Sequence, residues 1–169
     1  MIYKKNKLTI DRFDIGYIAR KYKTPIYCYS LKKINNNIQT LKSCFKKINP
    51  LICYAVKANS NLSILKEIKK HNLGADVVSG GELMKALKAG IKPKKIVFSG
   101  VGKISEEIEY AVNKNILLIN AESKSEILEI EKIAKKKKKI VNIGIRLNPN
   151  TDAKTLSQIS TGKKENKFG

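Results

Sequence analysis

The sequence is short of several residue types on which particular classes of protein depend. It contains no tryptophan, one histidine and three arginines, whereas lysine is abundant enough to bring the net charge to +21. Nucleic-acid sites favour arginine for its planar fork of donors, and the lysines here are spread over every segment. Lysine, asparagine and isoleucine are abundant together, as AT-rich coding produces. The composition therefore predicts a basic, solvated surface and no nucleic-acid partner.

Long apolar runs and leader signals are also missing. No run approaches the roughly 20 apolar residues that a membrane-spanning helix needs, and the first seven residues lack the apolar core of a signal peptide. We therefore predict a cytoplasmic protein with no membrane partner. The three cysteines, Cys28, Cys44 and Cys53, are too widely spaced for a disulfide framework or a metal site, so we expect them in the core. His71, beside two lysines, is predicted to lie on the surface.

What the sequence does contain is an alternation of short apolar runs with amphipathic stretches. Apolar residues make up 42% of 169 residues, which is typical of a globular chain. Residues 1–23 predict an N-terminal strand at 8–10 and a short helix capped by Asp14. From residue 24 onward, six predicted strands alternate with helices, at residues 26–29, 51–56, 74–79, 95–99, 116–120 and 140–147. Short connections between them predict parallel βα units.

Two α/β architectures fit this alternation, a doubly wound sheet and a (β/α)₈ TIM barrel. No Gly-x-Gly-x-x-Gly follows the first strand, which weakens the dinucleotide-binding version of the doubly wound sheet. A barrel closes with eight strands, so residues 24–169 would be an incomplete barrel with about six. The chain also ends at Phe168-Gly169 without a terminal helix, and we expect it to be truncated.

The lysine at the end of the second of these strands is the first candidate for chemistry. The run 51–56 is short and wholly apolar or aromatic, which is typical of a strand buried on both faces, and Lys57 follows it directly. Apolar walls around the stem would desolvate the ammonium and lower its pKa. Such a lysine can act as an amine nucleophile that forms a Schiff base with a carbonyl. The alternative is one surface lysine among many in a lysine-rich chain.

Other polar residues follow the remaining strands, where function collects in both architectures. Asp76, Glu82 and Arg146 are the charged members of this set, and small Ser-Gly turns accompany them. Asp76 could equally be a turn residue, and Glu82 could complete a capping box with Ser79. Arg146 is harder to explain structurally, because a charge at the end of an apolar strand needs a partner. Together they predict a site for an anionic ligand.

Several motifs resemble one family along essentially the whole chain. They are Tyr54-Ala55-Val56-Lys57-Ala58-Asn59, Asp76-Val77-Val78-Ser79-Gly80-Gly81-Glu82, Arg146-Leu147-Asn148-Pro149, and the stretch from Ile159-Ser160-Thr161-Gly162 to Lys167-Phe168-Gly169. The first resembles the alanine-racemase-like pyridoxal-phosphate group. The others narrow the resemblance to the diaminopimelate decarboxylase family.

The resemblance implies a pyridoxal 5'-phosphate-binding barrel, followed in the full-length protein by a C-terminal β domain that is missing here. It implies a homodimer that releases CO₂ from meso-diaminopimelate to give L-lysine, the last step of lysine biosynthesis. By the same resemblance, Lys57 would hold pyridoxal phosphate through an imine bond. Asp76, Glu82 and Arg146 match charged positions around the cofactor.

The sequence also departs from the family. Leu156-Ser157-Gln158 stands where the family usually has His-Pro-Tyr, and the chain ends before the ring-stacking histidine, the glycine-rich phosphate loop and the acid that pairs with the ring nitrogen. We therefore expect residues 1–169 alone to be aggregation-prone and inactive. An inactive remnant of such an enzyme, or another pyridoxal-phosphate decarboxylase or racemase of this fold, remains the alternative.

Overall fold

The computed structural model of the chain describes residues 2–4, 6–151, 154, 161–163 and 168–169. It divides into two compact units, Met1–Pro50 and Leu51–Gly169. The domain boundary predicted after residue 23 stays a prediction. None of the helices in the described part of the chain is both long and apolar enough to cross a membrane.

The first unit is a small antiparallel sheet followed by two helices. Its strands pair in the order β1-β2-β3, and its elements are β1 (Ile2–Lys4), β2 (Lys7–Ile10), β3 (Phe13–Asp14), α1 (Ile15–Tyr22) and α2 (Leu31–Cys44). The predicted cap of α1 is confirmed, because Asp14 Oδ1 accepts the N–H of Gly16 at 2.7 Å. At α2, Ser30 Oγ accepts the N–H of Lys33 at 2.9 Å and donates to Asp11 Oδ1 at 2.6 Å.

The strand predicted at residues 26–29 is wrong. This segment has no regular secondary structure and carries no ladder pairing among the described residues. Its side chains are not buried either, since Tyr27 is 87% exposed and Tyr29 is 57% exposed. A run of apolar and aromatic residues forms a strand only where a neighbouring strand offers backbone partners.

The second unit confirms the predicted alternation of strands and helices. Its strands are β4 (Cys53–Ala55), β5 (Gly74–Val77), β6 (Ile96–Phe98), β7 (Leu118–Ala121) and β8 (Ile143–Ile145). The helices between them are α3 (Leu62–Lys70), α4 (Gly80–Lys88), α5 (Ser105–Lys114) and α6 (Lys124–Lys137). Among the described residues, the four pairings of this sheet are parallel, and each strand lies beside the next one in the chain. This unbroken order is that of a barrel, since a doubly wound sheet reverses its strand order.

The core of this unit lies between the helices and one face of the sheet. On the three inner strands, β5, β6 and β7, the residues that face the helices are buried, and Ala75, Val77, Ile96, Phe98 and Ile119 have no exposed surface. Leu65, Leu83 and Ile108 meet them from the helices, each at most 1% exposed. The opposite face carries the residues in between, and this face holds the candidate site.

Three predictions about burial are wrong. The strand predicted at 51–56 is shorter, and Cys53–Ala55 is only half-buried because β4 lies at the edge of the described sheet. Cys44 is exposed and Cys28 is half-buried, so the cysteines are not core residues. His71 is not a surface residue, since only 16% of its side chain is exposed and its Nε2 lies 3.9 Å from Glu67 Oε1, one helical turn earlier.

Candidate active site at the carboxyl ends of the strands

Lys57 lies where the chain leaves the first strand of the parallel sheet. It is the middle residue of a 3₁₀ turn, Val56–Ala58, that directly follows β4. Tyr54 supports the turn by donating its hydroxyl to the Asn59 carbonyl at 3.2 Å. Val56 is fully buried and anchors the turn, but Lys57 itself is exposed. The predicted desolvation of the ammonium by apolar walls is therefore wrong for the described residues.

Asp76 heads a chain of polar side chains that crosses three adjacent strands. Ser99 Oγ donates to Asp76 Oδ1 at 2.7 Å, and Asn120 Nδ2 donates to Ser99 Oγ at 3.0 Å. Asp76 pairs with Val97 across β5 and β6, and Val97 stands two residues before Ser99. Because side chains alternate between the two faces of a strand, the side chains of Asp76, Ser99 and Asn120 all lie on the same open face of the sheet. Ser99 directly follows β6, and Asn120 lies near the end of β7. Both end predicted strands of the sequence, but the sequence analysis gave neither of them a role of its own in the site.

A glycine on β8 allows this chain of hydrogen bonds to lie flat on the sheet. Gly144 is the register partner of Asn120. A Cβ at Gly144 would collide with Asn120 Oδ1 and would also lie 3.5 Å from Leu118. The space that a side chain would take at residue 144 is therefore filled by the Asn120 amide.

Arg146 is held at the same sheet end by a buried carboxylate. Its Nη1 lies 3.1 Å from Glu122 Oε1, and the Glu122 side chain is 5% exposed whereas that of Arg146 is 36% exposed. The same Glu122 oxygen accepts the N–H of Gly100 at 3.2 Å. The guanidinium also lies over the Phe168 ring, 4.3 Å from its centroid. The predicted need of Arg146 for a partner is confirmed, and the partner is Glu122.

Glu82 occupies a helix-capping position. Ser79 Oγ accepts the N–H of Glu82 at 3.2 Å, which is the first half of the predicted capping box. The Glu82 carboxylate accepts the N–H of Val78 at 2.9 Å instead of that of the cap residue. In the described residues, Glu82 is therefore engaged with the backbone at the start of α4, and its cofactor role stays a prediction.

A second buried ion pair lies near the carboxyl ends of the strands, and the sequence analysis did not predict it. Lys103 has no exposed side-chain surface, and its Nζ lies 2.7 Å from Glu126 Oε1. Glu126 Oε1 accepts no hydrogen bond from any residue that the structure describes, so the contact with Lys103 is a charge pair. Lys103 also donates to the carbonyl of Gly100 and lies over the Phe98 ring. One lysine among so many carries no sequence signal of burial, which is why the pattern could not single it out.

The charge of Asp76 reaches a thiol on the same face. Ala55, two residues after Cys53, is the register partner of Asp76. Burial raises the pKa of the Cys53 thiol, and the Asp76 carboxylate raises it further by disfavouring a second negative charge. Lys95 acts in the opposite direction. The Asp76 carboxylate therefore acts electrostatically on the face of the sheet that carries Cys53.

Comparisons with known proteins assign the chain to a family. Residues 31–169 match the family described as "Pyridoxal-dependent decarboxylase, pyridoxal binding domain". Diaminopimelate decarboxylase from Helicobacter pylori is 54% identical over 157 residues, which cover 93% of this chain and 39% of that protein. The enzyme from Campylobacter jejuni is 47% identical over 156 residues, which cover 92% of this chain and 39% of that protein.

Solved structures agree with the sequence matches. The crystal structure of H. pylori diaminopimelate decarboxylase complexed with L-lysine has a TM-score of 0.88 and 52% identity, over 92% of this chain and 40% of that one. Diaminopimelate decarboxylase from M. jannaschi has a TM-score of 0.90 and 40% identity, over 99% of this chain and 40% of that one. The chain thus spans about 40% of the length of these relatives.

The matches and the strand order together support the predicted fold, a partial barrel of parallel βα units. Residues 156–158, where the family's His-Pro-Tyr is replaced, lie outside the described residues, as do 159, 160 and 164–167 of the last motif. Lys57, Asp76, Ser99, Asn120 and Arg146 stand at or near the carboxyl ends of the parallel strands, as expected for a barrel, whereas Glu82 lies in the first turn of α4. The chain belongs to the pyridoxal-dependent decarboxylase family, of which it carries the pyridoxal-binding domain.

Proposed function

We propose that this chain forms the cofactor-binding part of a diaminopimelate decarboxylase, which converts meso-2,6-diaminopimelate to L-lysine and CO₂. The observation that carries the proposal is an exposed amine, Lys57, at one rim of a sheet whose open face presents Asp76 and Arg146. Close relatives bearing that enzyme name support the choice of substrate. The full-length protein is proposed to be a cytoplasmic homodimer that serves lysine biosynthesis.

The residues present fit pyridoxal 5'-phosphate by the chemistry of their donor set. An aldehyde needs an accessible primary amine, and Lys57 supplies one in a short turn anchored by buried Val56. A phosphorylated, electron-poor ring also needs charged neighbours, and Arg146 keeps about a third of its side chain exposed after pairing with Glu122. The open face beside Lys57 carries small side chains at Ala55 and Ser99, which leave room for a flat ring.

Each residue then has a distinct task. Lys57 would hold the cofactor through an imine bond, and its amine would also be the group that carries a proton during the reaction. Asp76 would place a carboxylate beside that cationic end, and Arg146 would attract an anionic group. Glu82 would act on the cofactor only indirectly, through the start of α4. When bound, pyridoxal phosphate supplies the electron-accepting ring that takes up the electrons left by the departing carboxylate.

The test is chemical trapping of the imine. The protein is incubated with pyridoxal phosphate, reduced with borohydride and mapped by peptide mass spectrometry. We expect the reduced label on Lys57 and its loss in Lys57→Arg, whereas Lys88→Arg, at another exposed lysine, leaves it unchanged. Label distributed over other lysines, with Lys57 unmodified, would refute the assignment.

The substrate is tested in the full-length protein, because the chain spans about 40% of its relatives. Release of CO₂ from meso-diaminopimelate is measured against release from lysine, ornithine and arginine. We expect diaminopimelate to be the preferred substrate. Preference for one of the others, with Lys57 still labelled, would keep the cofactor chemistry and overturn the substrate.

A further inference from the structure

The polar chain on the open face of the sheet extends the site beyond the residues that the family motifs mark. We propose that Ser99 and Asn120 are positioning residues, which hold the Asp76 carboxylate in one orientation with its second oxygen free for the cation formed at Lys57. This inference rests on the proposed imine at Lys57. It adds two uncharged residues, Ser99 directly after β6 and Asn120 on β7, to a site otherwise described by its charged residues.

The direction of the hydrogen bonds follows from the donor inventory. An ionised carboxylate only accepts, so the single hydroxyl proton of Ser99 goes to Asp76 Oδ1, at 2.7 Å. Ser99 Oγ must then accept from its other neighbour, and the Asn120 amide presents its NH₂ group at 3.0 Å. The chain therefore runs in one direction, from Asn120 through Ser99 to Asp76. Such a chain strengthens each of its hydrogen bonds.

The far end of the chain is fixed by packing. Asn120 Oδ1 lies where a Cβ of Gly144 would be, so the amide rests directly on the β8 backbone. Backbone pairing holds Asn120 and Gly144 in register, and Ser99 is held by its own N–H, which donates to the Val77 carbonyl at 2.8 Å. The rotamer of Asp76 is thus determined by three neighbouring strands and not by its own strand alone.

The Asp76 end of this chain of hydrogen bonds is open. One carboxylate oxygen of Asp76 is occupied by Ser99, and Oδ2 makes no hydrogen bond to any residue that the structure describes. Ala55 is the register partner of Asp76, and Lys57 follows two residues later. A carboxylate with one oxygen tied and the other free, next to the strand end that carries the amine, is arranged to stabilise a cation there.

The experiment is a pH titration of the imine absorbance in the protein loaded with pyridoxal phosphate. A well-oriented Asp76 raises the pKa of the protonated imine, so Ser99→Ala should lower its apparent pKa by about 0.5–1 unit. Asn120→Ala should lower it in the same direction by less. Ser99→Thr, which keeps the hydroxyl, should titrate like the parent protein. Ser105→Ala is the matched control, because Ser105 also donates to a carboxylate, Glu129 at 2.9 Å, away from this face.

A second readout works without the cofactor. Because the Asp76 charge raises the pKa of the Cys53 thiol, reorienting the carboxylate through Ser99→Ala should shift the thiol titration, and Ser105→Ala should not. If the parent forms no imine at Lys57, the proposed function fails, and the part of this inference that concerns the cation at Lys57 fails with it. The thiol titration then tests only whether Ser99 orients the Asp76 carboxylate. An unshifted thiol in Ser99→Ala, an imine that titrates as in the parent, or a Ser99→Thr protein that behaves like Ser99→Ala would each overturn it.

Discussion

Arg146 offers the sharpest test of how the sheet end is held together. Replacing it with alanine removes the cation from a carboxylate that is almost fully buried, since 5% of the Glu122 side chain is exposed. Glu122 would retain the backbone N–H groups of Gly100, at 3.2 Å, and of Gly169, at 3.3 Å. Two neutral donors do not replace a charged one, so the remaining carboxylate is left under-compensated.

The expected magnitude follows from the burial of the two partners. A hydrogen bond between charged groups contributes about 1.5–3 kcal/mol when desolvated, whereas exposed pairs contribute about 0–1 kcal/mol. With Arg146 at 36% exposure the pair lies between these limits. Loss of the contact with the Phe168 ring, 4.3 Å from the guanidinium, adds about 0.5–1 kcal/mol. We expect Arg146→Ala to lower the free energy of unfolding by about 2 kcal/mol.

The assay is urea unfolding followed by circular dichroism, run as a double-mutant cycle with Glu122→Gln. If the effect acts through Glu122, Arg146→Ala should cost clearly less in the Glu122→Gln background. Lys135→Ala is the control, because its pair with Glu131, at 2.7 Å, is exposed on both sides and should contribute about 0.5 kcal/mol or less. An Arg146→Ala protein no less stable than the control, with no coupling in the cycle, would refute the reasoning.

Two further predictions concern the open face of the sheet. The raised pKa of the Cys53 thiol means that its contribution to stability is complete below the ordinary thiol pKa and is lost as the pH rises through the raised value. Asp76→Asn should lower that pKa, so that the loss of stability at high pH is smaller and is complete at a lower pH, as measured by pH-dependent alkylation and unfolding. An unchanged alkylation profile would contradict this. Gly144→Ala should lower the free energy of unfolding by about 1–3 kcal/mol, because the new Cβ would collide with Asn120. Gly102→Ala is the control, because no atom lies within 4 Å of its new Cβ. Equal stability of the two variants would exclude the close approach of Asn120 to Gly144.

Local structure in this chain could be predicted because its causes lie within a few residues. Asp14, Ser30 and Ser79 each accept a backbone N–H two or three residues ahead, and each begins a helix where the pattern places one. The alternation of apolar runs with helical periodicity predicted the parallel strands of the second unit for the same reason. Lys57 lies at the end of its predicted strand, and this position could be predicted because it depends only on where the apolar run ends.

The sequence by itself thus determined the class of fold, the helix caps and the rim of strand ends on which the candidate residues stand. The tertiary structure decided three features that the periodicity of apolar residues could not predict. Residues 26–29 have no strand partner, the strands of the sheet follow one another in sequential order, and Lys57 is exposed. It also decided the partners Ser99 and Asp76, Arg146 and Glu122, and Lys103 and Glu126, each separated by more than 20 residues. Such pairs meet only through strand register and burial, which arise from packing the whole sheet and have no local signal.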